Sequence, residues 1–215
     1  MSIFDVVKKL IAAGAGAALV FTASPSQAAV IDINDLTGWE TIGNVSNNNN
    51  GGILLSTSAG DNDTEIESFL GLSSGDLDAL NNIDATIGSA IKNSITVEAG
   101  DVLNFNWQFE TFDYLPYNDF SFYSIGSSVN KLADVSQVGD FGQTASQTSY
   151  TFNTGGTYTV GFGVVNATDT AAQSNLTVGT SVPEPLTIFG TLTAAGFGVA
   201  LRRKQQQQQK ATAKA

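Results

Sequence analysis

The central part of the 215-residue chain alternates apolar and polar positions with the period of two that a half-buried β-strand requires. Over residues 103–110, large apolar side chains occupy every second position, and asparagine, glutamine or glutamate occupies the positions between. Residues 158–164 repeat the pattern, and shorter alternating runs begin at Ile95, Phe120 and Tyr150. Short strands of this kind, without long amphipathic helices, predict a mainly β fold of the antiparallel β-sandwich or jelly-roll class.

Two turn-forming stretches and a short helical insert interrupt the strands. Residues 98–101 and 153–156 have the glycines and polar residues typical of hairpin connections. Residues 63–70 place apolar side chains on one helical face and acids in the first turn, which predicts a short helix. A second helix is expected to begin at a Ser74 cap and to run to Leu80.

The amino-terminal segment has the organisation of a secretory signal peptide. Lys8 and Lys9 precede an uncharged apolar run over residues 10–21, and a polar segment that ends in small residues follows. The apolar run is too short to span a bilayer comfortably. We expect signal peptidase to cleave between Ala28 and Ala29, so that the rest of the chain is exported through the inner membrane.

The carboxyl-terminal segment combines three features in a fixed order. They are Pro183, Glu184 and Pro185, then an uncharged apolar run over residues 186–201, then Arg202, Arg203 and Lys204. A helix over that run would be about 24 Å long, against a hydrocarbon core of about 30 Å, which predicts a marginal transmembrane helix. By the positive-inside rule the basic cluster stays cytoplasmic, and the preceding domain lies outside.

This order of features resembles the PEP-CTERM sorting signal of Gram-negative bacteria. The resemblance implies recognition by an exosortase, in a setting that often includes exopolysaccharide production, and it brings no catalytic residue to the chain. The five consecutive glutamines that follow extend beyond the usual end of that signal. Residues 88–122, with 157–165, are also similar to extracellular sandwich domains found in many PEP-CTERM proteins. The expected division is a signal peptide over 1–28, an extracellular β-sandwich over 29–181, the sorting signal over 182–204 and a Gln-rich tail over 205–215.

Composition excludes several function classes. The chain has neither histidine nor cysteine, which excludes Ser-His-Asp and Cys-His catalysis, disulfides, and the usual zinc and haem sites. Residues 29–182 contain 18 acidic residues and two lysines, a net charge near −16. A body this acidic repels phosphate backbones, so nucleic acid is not an expected partner, and it attracts divalent cations.

One acidic group has the spacing of a metal loop. Asp61, Asp63 and Glu65 alternate as at the start of an EF-hand, but Ile66 and Leu72 stand where that loop needs glycine and glutamate. Capping of the following helix is therefore the main interpretation, and weak calcium binding is the alternative. No other cofactor is implied.

A second candidate site is the loop over residues 111–119, between two predicted strands. Its candidate ligand-binding residues are Asp113, Tyr114, Tyr117, Asn118 and Asp119. Aromatic rings stack on the apolar faces of sugars while polar groups bind the hydroxyls, so this combination suits a carbohydrate. The alternative is that the rings cover the edge of the core and the polar residues form a turn.

Two function classes remain. The leading one is a non-enzymatic surface or extracellular-matrix protein, processed by an exosortase and associated with exopolysaccharide. The alternative is a secreted carbohydrate-active enzyme of the jelly-roll type that uses a carboxylate pair such as Glu110 and Asp113. A concave surface with two carboxyl groups beside exposed aromatic rings would favour the enzyme.

Overall fold

The computed structural model describes residues 28–29, 33–49 and 51–180. The apolar run of the predicted signal peptide, the predicted transmembrane run, the sorting motif and the Gln-rich tail lie outside the described residues. No helix among the described residues is long and apolar enough to cross a bilayer.

The described residues form short strands with a few helical segments between them. The strands are β1 (Ala28–Ala29), β2 (Glu40–Ile42), β3 (Asn44–Asn47), β4 (Ile53–Ser56), β5 (Asp61–Asn62), β6 (Ala85–Val97), β7 (Val102–Thr111), β8 (Phe120–Ile125), β9 (Ser128–Asp134), β10 (Gln143–Thr151), β11 (Gly156–Ala167) and β12 (Ser174–Thr180). The helices are α1 (Asp63–Leu70), α2 (Asp76–Asn81) and α3 (Val135–Val138).

The strands form two sheets that pack face to face. The first sheet has the order β10-β7-β12-β4-β3, and β1 pairs with the beginning of β7 on the same side as β12. The second sheet has the order β2-β6-β11-β8-β9, and β5 also pairs with β6. All of these pairs are antiparallel except β1 with β7. The predicted mainly β, antiparallel sandwich is confirmed.

The main core lies between the sheets, and the alternation of β7 builds it. Leu103, Phe105, Trp107 and Phe109 are buried, as the pattern predicts. Phe105 meets Phe162 of the second sheet edge to face, with ring centroids 4.8 Å apart. Contacts of this kind hold the two sheets together.

A second hydrophobic cluster lies on the outer face of the second sheet, beneath the helices. Its buried residues are Ile66, Leu70, Leu72, Leu77, Ala85, Ala90, Phe120, Phe122 and Val165. The alternation of β11 predicts that Gly161 and Gly163 share a polar face, but both are buried. A Cβ added at Gly161 would lie 2.6 Å from Cδ2 of Leu70, so the helical insert packs directly on the bare backbone.

The helical insert begins as predicted and then departs from the prediction. Helix α1 has the predicted bounds. Helix α2 is capped by Gly75, not by Ser74, and Gly75 has a φ of 86°. The carboxylate of Glu67 in α1 accepts the backbone N–H groups of Gly75 and Leu77, at 2.9 and 2.8 Å. This buried carboxylate replaces the serine cap that the sequence suggests.

The two predicted hairpin turns instead carry the chain from one sheet to the other. Residues 98–101 join β6 of the second sheet to β7 of the first, and residues 153–156 join β10 to β11. The two crossings are linked because the N–H of Gly100 donates to the carbonyl of Phe152, at 2.7 Å. Both turns lie at the end of the sandwich where β7 begins.

That end, which we call the terminal end, also holds both chain termini of the described domain. Ala29 pairs with Leu103 of β7, and Thr180 pairs with Phe105. The opposite or distal end is where β7 stops, at Thr111. The segment after Thr111 contains the candidate sugar site.

Candidate functional site

Large apolar side chains that are partly or fully exposed lie at the distal end, and we call them the aromatic tip. It comprises Phe112, Tyr114, Leu115, Tyr117 and Phe141. Phe141 is 66% exposed and Tyr114 is 46% exposed, whereas Tyr117 is half-buried. The ring of Tyr114 stands edge-on to Tyr117, with centroids 5.5 Å apart, and lies 5.9 Å from the ring of Phe141.

Two loops build the tip, and backbone hydrogen bonds join them. The N–H of Phe141 donates to the carbonyl of Asp113 at 2.8 Å, and the N–H of Leu115 donates to Oδ1 of Asp140 at 3.1 Å. Phe141 has a φ of 55°, an uncommon value for a residue with a side chain. Sequence reasoning missed Phe141, and the signal available was a lone aromatic residue in a turn bounded by Gly139 and Gly142.

The polar candidates of the same loop do not share that exposure. Asp113 and Asp119 are 1% and 0% exposed, and Oδ1 of Asn118 accepts a backbone N–H of α3 at 2.8 Å. The structure therefore places the aspartates inside the fold, because they continue the inward-facing positions at the ends of strands. Of the five predicted residues, Tyr114 and Tyr117 belong to the aromatic tip.

Asp119 lies in a buried hydrogen-bonded setting. Its Oδ1 accepts the N–H of Ala167 at 2.9 Å, and its Oδ2 lies 2.6 Å from the hydroxyl of Ser174. Burial raises the pKa of Asp119 to about 7; these hydrogen bonds oppose the rise, and the charges of Asp113 and Asp169 add to it. Burial also raises the pKa of Asp113, whose Oδ1 accepts the N–H of Tyr114 at 2.7 Å.

The carboxylate pair considered for glycoside hydrolysis is not on one surface. Glu110 is partly exposed on the outer face of the first sheet, where it pairs with Gln143 and Asn175 in neighbouring strands. Asp113 lies in the interior. A substrate on the outer face could not contact both groups, so the arrangement offers no general acid and base to one glycosidic bond.

Amides and hydroxyls dominate the outer face of the first sheet. Its partly or fully exposed polar side chains include Asn44, Ser46, Asn104, Asn106, Gln108, Gln143, Gln147, Ser149, Asn175 and Thr177. Two shallow depressions of about 320 and 300 Å³ lie on this face, and no carboxylate lines either of them. Small residues such as Ala145 and Gly179 provide the space for the larger one. Because Gln143 and Glu110 lie beside the tip loops, the face continues directly into the aromatic tip.

The acids at Asp61, Asp63 and Glu65 lie in β5 and in the first turn of α1. Oδ2 of Asp61 accepts the N–H of Gly43 at 2.8 Å, and Asp63 and Glu65 occupy the first turn of α1. Burial raises the pKa of Asp63, and the charge of Asp78 adds to the rise. The residues that the structure describes include no group of three or more acidic, histidine or cysteine side chains arranged to hold a metal ion. The predicted helix-capping role is wrong for Asp61, and the N-cap residue Asn62 makes no side-chain cap hydrogen bond. Asp63 and Glu65 lie in the first turn, where the helix dipole favours acids.

The other predicted residues are those of the processing signals. Ala28 and Ala29 form β1 and pair with Val102 and Leu103. The sorting residues Pro183 to Pro185 and Arg202 to Lys204 lie beyond the described part of the chain.

No family model matches the sequence, and no curated protein does either. Among solved structures, the chain is similar to TmCBM61 in complex with β-1,4-galactotriose, at 8% identity and a TM-score of 0.37, over 73% of this chain and all of that one. It is also similar to the β-glucosidase of Kluyveromyces marxianus in complex with glucose, at 10% identity and a TM-score of 0.26, over 69% of this chain. The chain spans 18% of that enzyme's length. With TM-scores below 0.5, neither likeness bears on function.

Proposed function

We propose that the protein is an exported, non-catalytic surface or matrix protein that binds neutral exopolysaccharide through the aromatic tip and the adjoining amide-rich face. The observation that carries this proposal is the exposure of Tyr114 and Phe141 at one end of a face lined by amides and hydroxyls. Export and exosortase processing rest on the amino-terminal and carboxyl-terminal sequence signals.

The aromatic tip supplies the stacking surface. A pyranose ring has an apolar face of C–H groups, and an exposed aromatic ring desolvates that face on contact. Because backbone hydrogen bonds join the two loops, Tyr114 and Phe141 are held near one another before any sugar arrives. A preorganised surface loses less conformational entropy on binding.

The amide-rich face supplies hydrogen bonds along an extended chain. Each Asn or Gln offers both donors and an acceptor, which matches a sugar hydroxyl that needs both. Five such residues lie on β7 and its neighbour β10, namely Asn104, Asn106, Gln108, Gln143 and Gln147. Since the body carries a net charge near −16, it repels polyanionic glycans, and this favours a neutral polysaccharide.

A non-catalytic role is supported by the same geometry. The depressions on the amide-rich face have no carboxylate lining, and Glu110 and Asp113 lie on different sides of the first sheet. We therefore expect binding without release of reducing ends.

Affinity electrophoresis of the purified full chain through gels that contain neutral or anionic polysaccharides tests the proposal. Retardation by at least one neutral polysaccharide and none by an anionic one is expected. Tyr114→Ala and Phe141→Ala should each weaken binding about tenfold, which corresponds to about 1.4 kcal/mol. The matched variant Tyr114→Phe keeps the ring and should bind like the wild type.

Three outcomes would contradict the proposal. They are no retardation by any neutral polysaccharide, retardation that both alanine variants leave unchanged, and release of reducing ends that accompanies binding. The last outcome would instead favour the carbohydrate-active enzyme.

A further inference from the structure

A layer of buried polar residues closes the distal end of the main core, directly beneath the aromatic tip. Four core residues, one from each of four strands, face the space between the sheets near this end: Leu55, Phe109, Val164 and Leu176. Two positions closer to the distal end, the next inward side chains are polar: Thr57, Thr111, Asn166 and Ser174. Asp113 and Asp119 complete what we call the polar layer, and none of its six residues is more than 1% exposed. Because strand side chains alternate between faces, the strand residues of the layer face the space between the sheets.

Hydrogen bonds inside the layer satisfy most of these groups. The N–H of Ser174 donates to Oγ1 of Thr57 at 2.9 Å, and the hydroxyl of Ser174 lies 2.6 Å from Oδ2 of Asp119 and 2.8 Å from Oγ1 of Thr111. Two buried oxygens in the layer have no hydrogen-bond donor among the described residues: Oδ2 of Asp113 and Oδ1 of Asn166. Buried polar atoms are normally satisfied, so two acceptors without donors indicate a missing partner.

The layer also contains two carboxyl groups and no basic side chain. Asp113 and Asp119 place these carboxyl groups in the interior. The two lysines in the described part of the chain are engaged elsewhere. Lys92 pairs with Glu40 at 3.5 Å, and Lys131 pairs with Asp134. A bound cation would accept lone pairs from both of these oxygens and would neutralise the carboxylates.

We propose that the polar layer binds one calcium ion through Oδ2 of Asp113, Oδ1 of Asn166 and the carboxylate of Asp119. All of these ligands are oxygens, and calcium takes six to eight oxygens from carboxylates, amides, carbonyls and water in flexible geometry. Magnesium demands a near-ideal octahedron and keeps several waters, which a closed layer accommodates poorly. This site is separate from Asp61, Asp63 and Glu65.

The bound ion would stabilise the conformation of the two loops that form the aromatic tip. Asp113 is the connection, because its carbonyl accepts the N–H of Phe141 and its Oδ1 accepts the N–H of Tyr114. Fixing Oδ2 of Asp113 therefore fixes the anchor of both tip loops. The metal site stands independently of polysaccharide binding, which the tip variants test separately.

Calcium binding is tested on the full chain, purified in mild detergent and stripped with a chelator. Equilibrium dialysis against radioactive calcium should give one saturable site per chain, with a dissociation constant of about 0.1–1 mM, the range of extracellular modules. At a tenfold excess of calcium over that constant, the melting temperature should rise by about 3–6 °C relative to sodium chloride of equal ionic strength. Magnesium should give a smaller rise.

Variants locate the ion. Asp113→Asn should lose the calcium-dependent rise, whereas the matched control Asp61→Asn with Asp63→Asn should keep it. Asn166→Asp adds a carboxylate, so it should melt below the wild type in chelator and show a larger rise with calcium. Absence of saturable calcium binding by the wild type would overturn the proposal, and so would equal calcium responses in the Asn166→Asp variant and the wild type. If the control variant Asp61→Asn with Asp63→Asn lost the calcium-dependent rise in melting temperature, the ion would be assigned to the helical insert instead.

Discussion

Asp119 and Asp134 are both buried, yet their surroundings move their pKa values in opposite directions. Around Asp119 the loss of hydration dominates, and its pKa rises. Burial of Asp134 also favours the neutral form, but the ammonium of Lys131 and hydrogen bonds from Ser136 and Gln137 outweigh it, and the pKa falls below its ordinary value. A buried aspartate is charged or neutral according to the donors around it.

Asp134 is part of a capping box at α3, which gives a prediction about acid stability. Its Oδ1 accepts the N–H of Gln137 at 2.9 Å, and Oε1 of Gln137 accepts the N–H of Asp134 at 3.2 Å. Because the folded-state pKa is lowered, the stabilisation is present above the ordinary pKa near 3.9 and is lost as the pH falls through the folded value. We expect the contribution of Asp134 to the urea midpoint of the wild type to be lost between about pH 4 and pH 2.

The control for that prediction is Asp134→Asn, which keeps a capping oxygen but cannot titrate. Its urea midpoint should fall less steeply over the same pH range, since the other carboxylates are unchanged. Parallel pH profiles for the two proteins would contradict the assignment of this stabilisation to Asp134.

Glycine positions show where single residues escape sequence reasoning. The alternation of β11 gives Gly161 and Gly163 the appearance of gaps on a polar face. In the structure, a Cβ at Gly163 would overlap the ring of Phe122, and Gly161 lies under Leu70. The packing of the helical insert explains Gly161, and it joins residues about 90 positions apart in the chain, whereas the ring of Phe122 on the neighbouring strand β8 explains Gly163.

At the scale of elements, Glu67 joins the two helices of the insert. The residue is 1% exposed, and its two oxygens each accept one N–H from the beginning of α2. Without this carboxylate, the buried N–H of Leu77 and the partly buried N–H of Gly75 lose their acceptor, and Gly75 cannot supply one because it has no side chain. The amino terminus of α2 therefore depends on a residue of α1.

We expect Glu67→Ala to lower the free energy of unfolding by about 1–3 kcal/mol, the usual penalty for leaving buried polar groups unsatisfied. Urea unfolding at pH 7 with an unchanged m-value would measure it. Glu65→Ala, in the same helix but exposed, should change the free energy of unfolding by less than about 0.5 kcal/mol. Equal effects of the two substitutions would mean that the Glu67 carboxylate does not cap α2.

Elements that bury a regular face could be predicted, and polar edge elements could not. β7 has alternating large apolar residues, and α1 has an apolar stripe with acids at its start, so both follow from local pattern. β3 and most of β10 are polar, and they are strands only because they pair with β4 and β7. In the same way, the loop 111–119 could be proposed as a candidate site from the sequence, but its inward aspartates and its neighbour Phe141 depend on strands distant in sequence.

At the scale of the whole described domain, its first and last described strands meet β7 near the end opposite the aromatic tip. Ala29 and Thr180 pair near the beginning of β7, whereas the tip follows its last residue, Thr111. The ten residues of β7 span about 30 Å. Between Thr180 and the predicted transmembrane run at residue 186, the connecting chain reaches at most about 20 Å. A domain held by that run would keep its terminal end nearest the bilayer and the tip facing outward.

Single cysteines test this orientation, because the chain has none of its own. Phe141→Cys marks the tip and Glu98→Cys marks the terminal end, and both positions are exposed. With the uncleaved full chain in lipid vesicles, a bulky polyethylene-glycol maleimide should label Phe141→Cys about as fast as it does in detergent. It should label Glu98→Cys several-fold more slowly than in detergent, because the bilayer restricts access within the reach of the connecting chain. Equal slowing at both positions would show that the domain lies on its side, and slower labelling of the tip would reverse the proposed orientation.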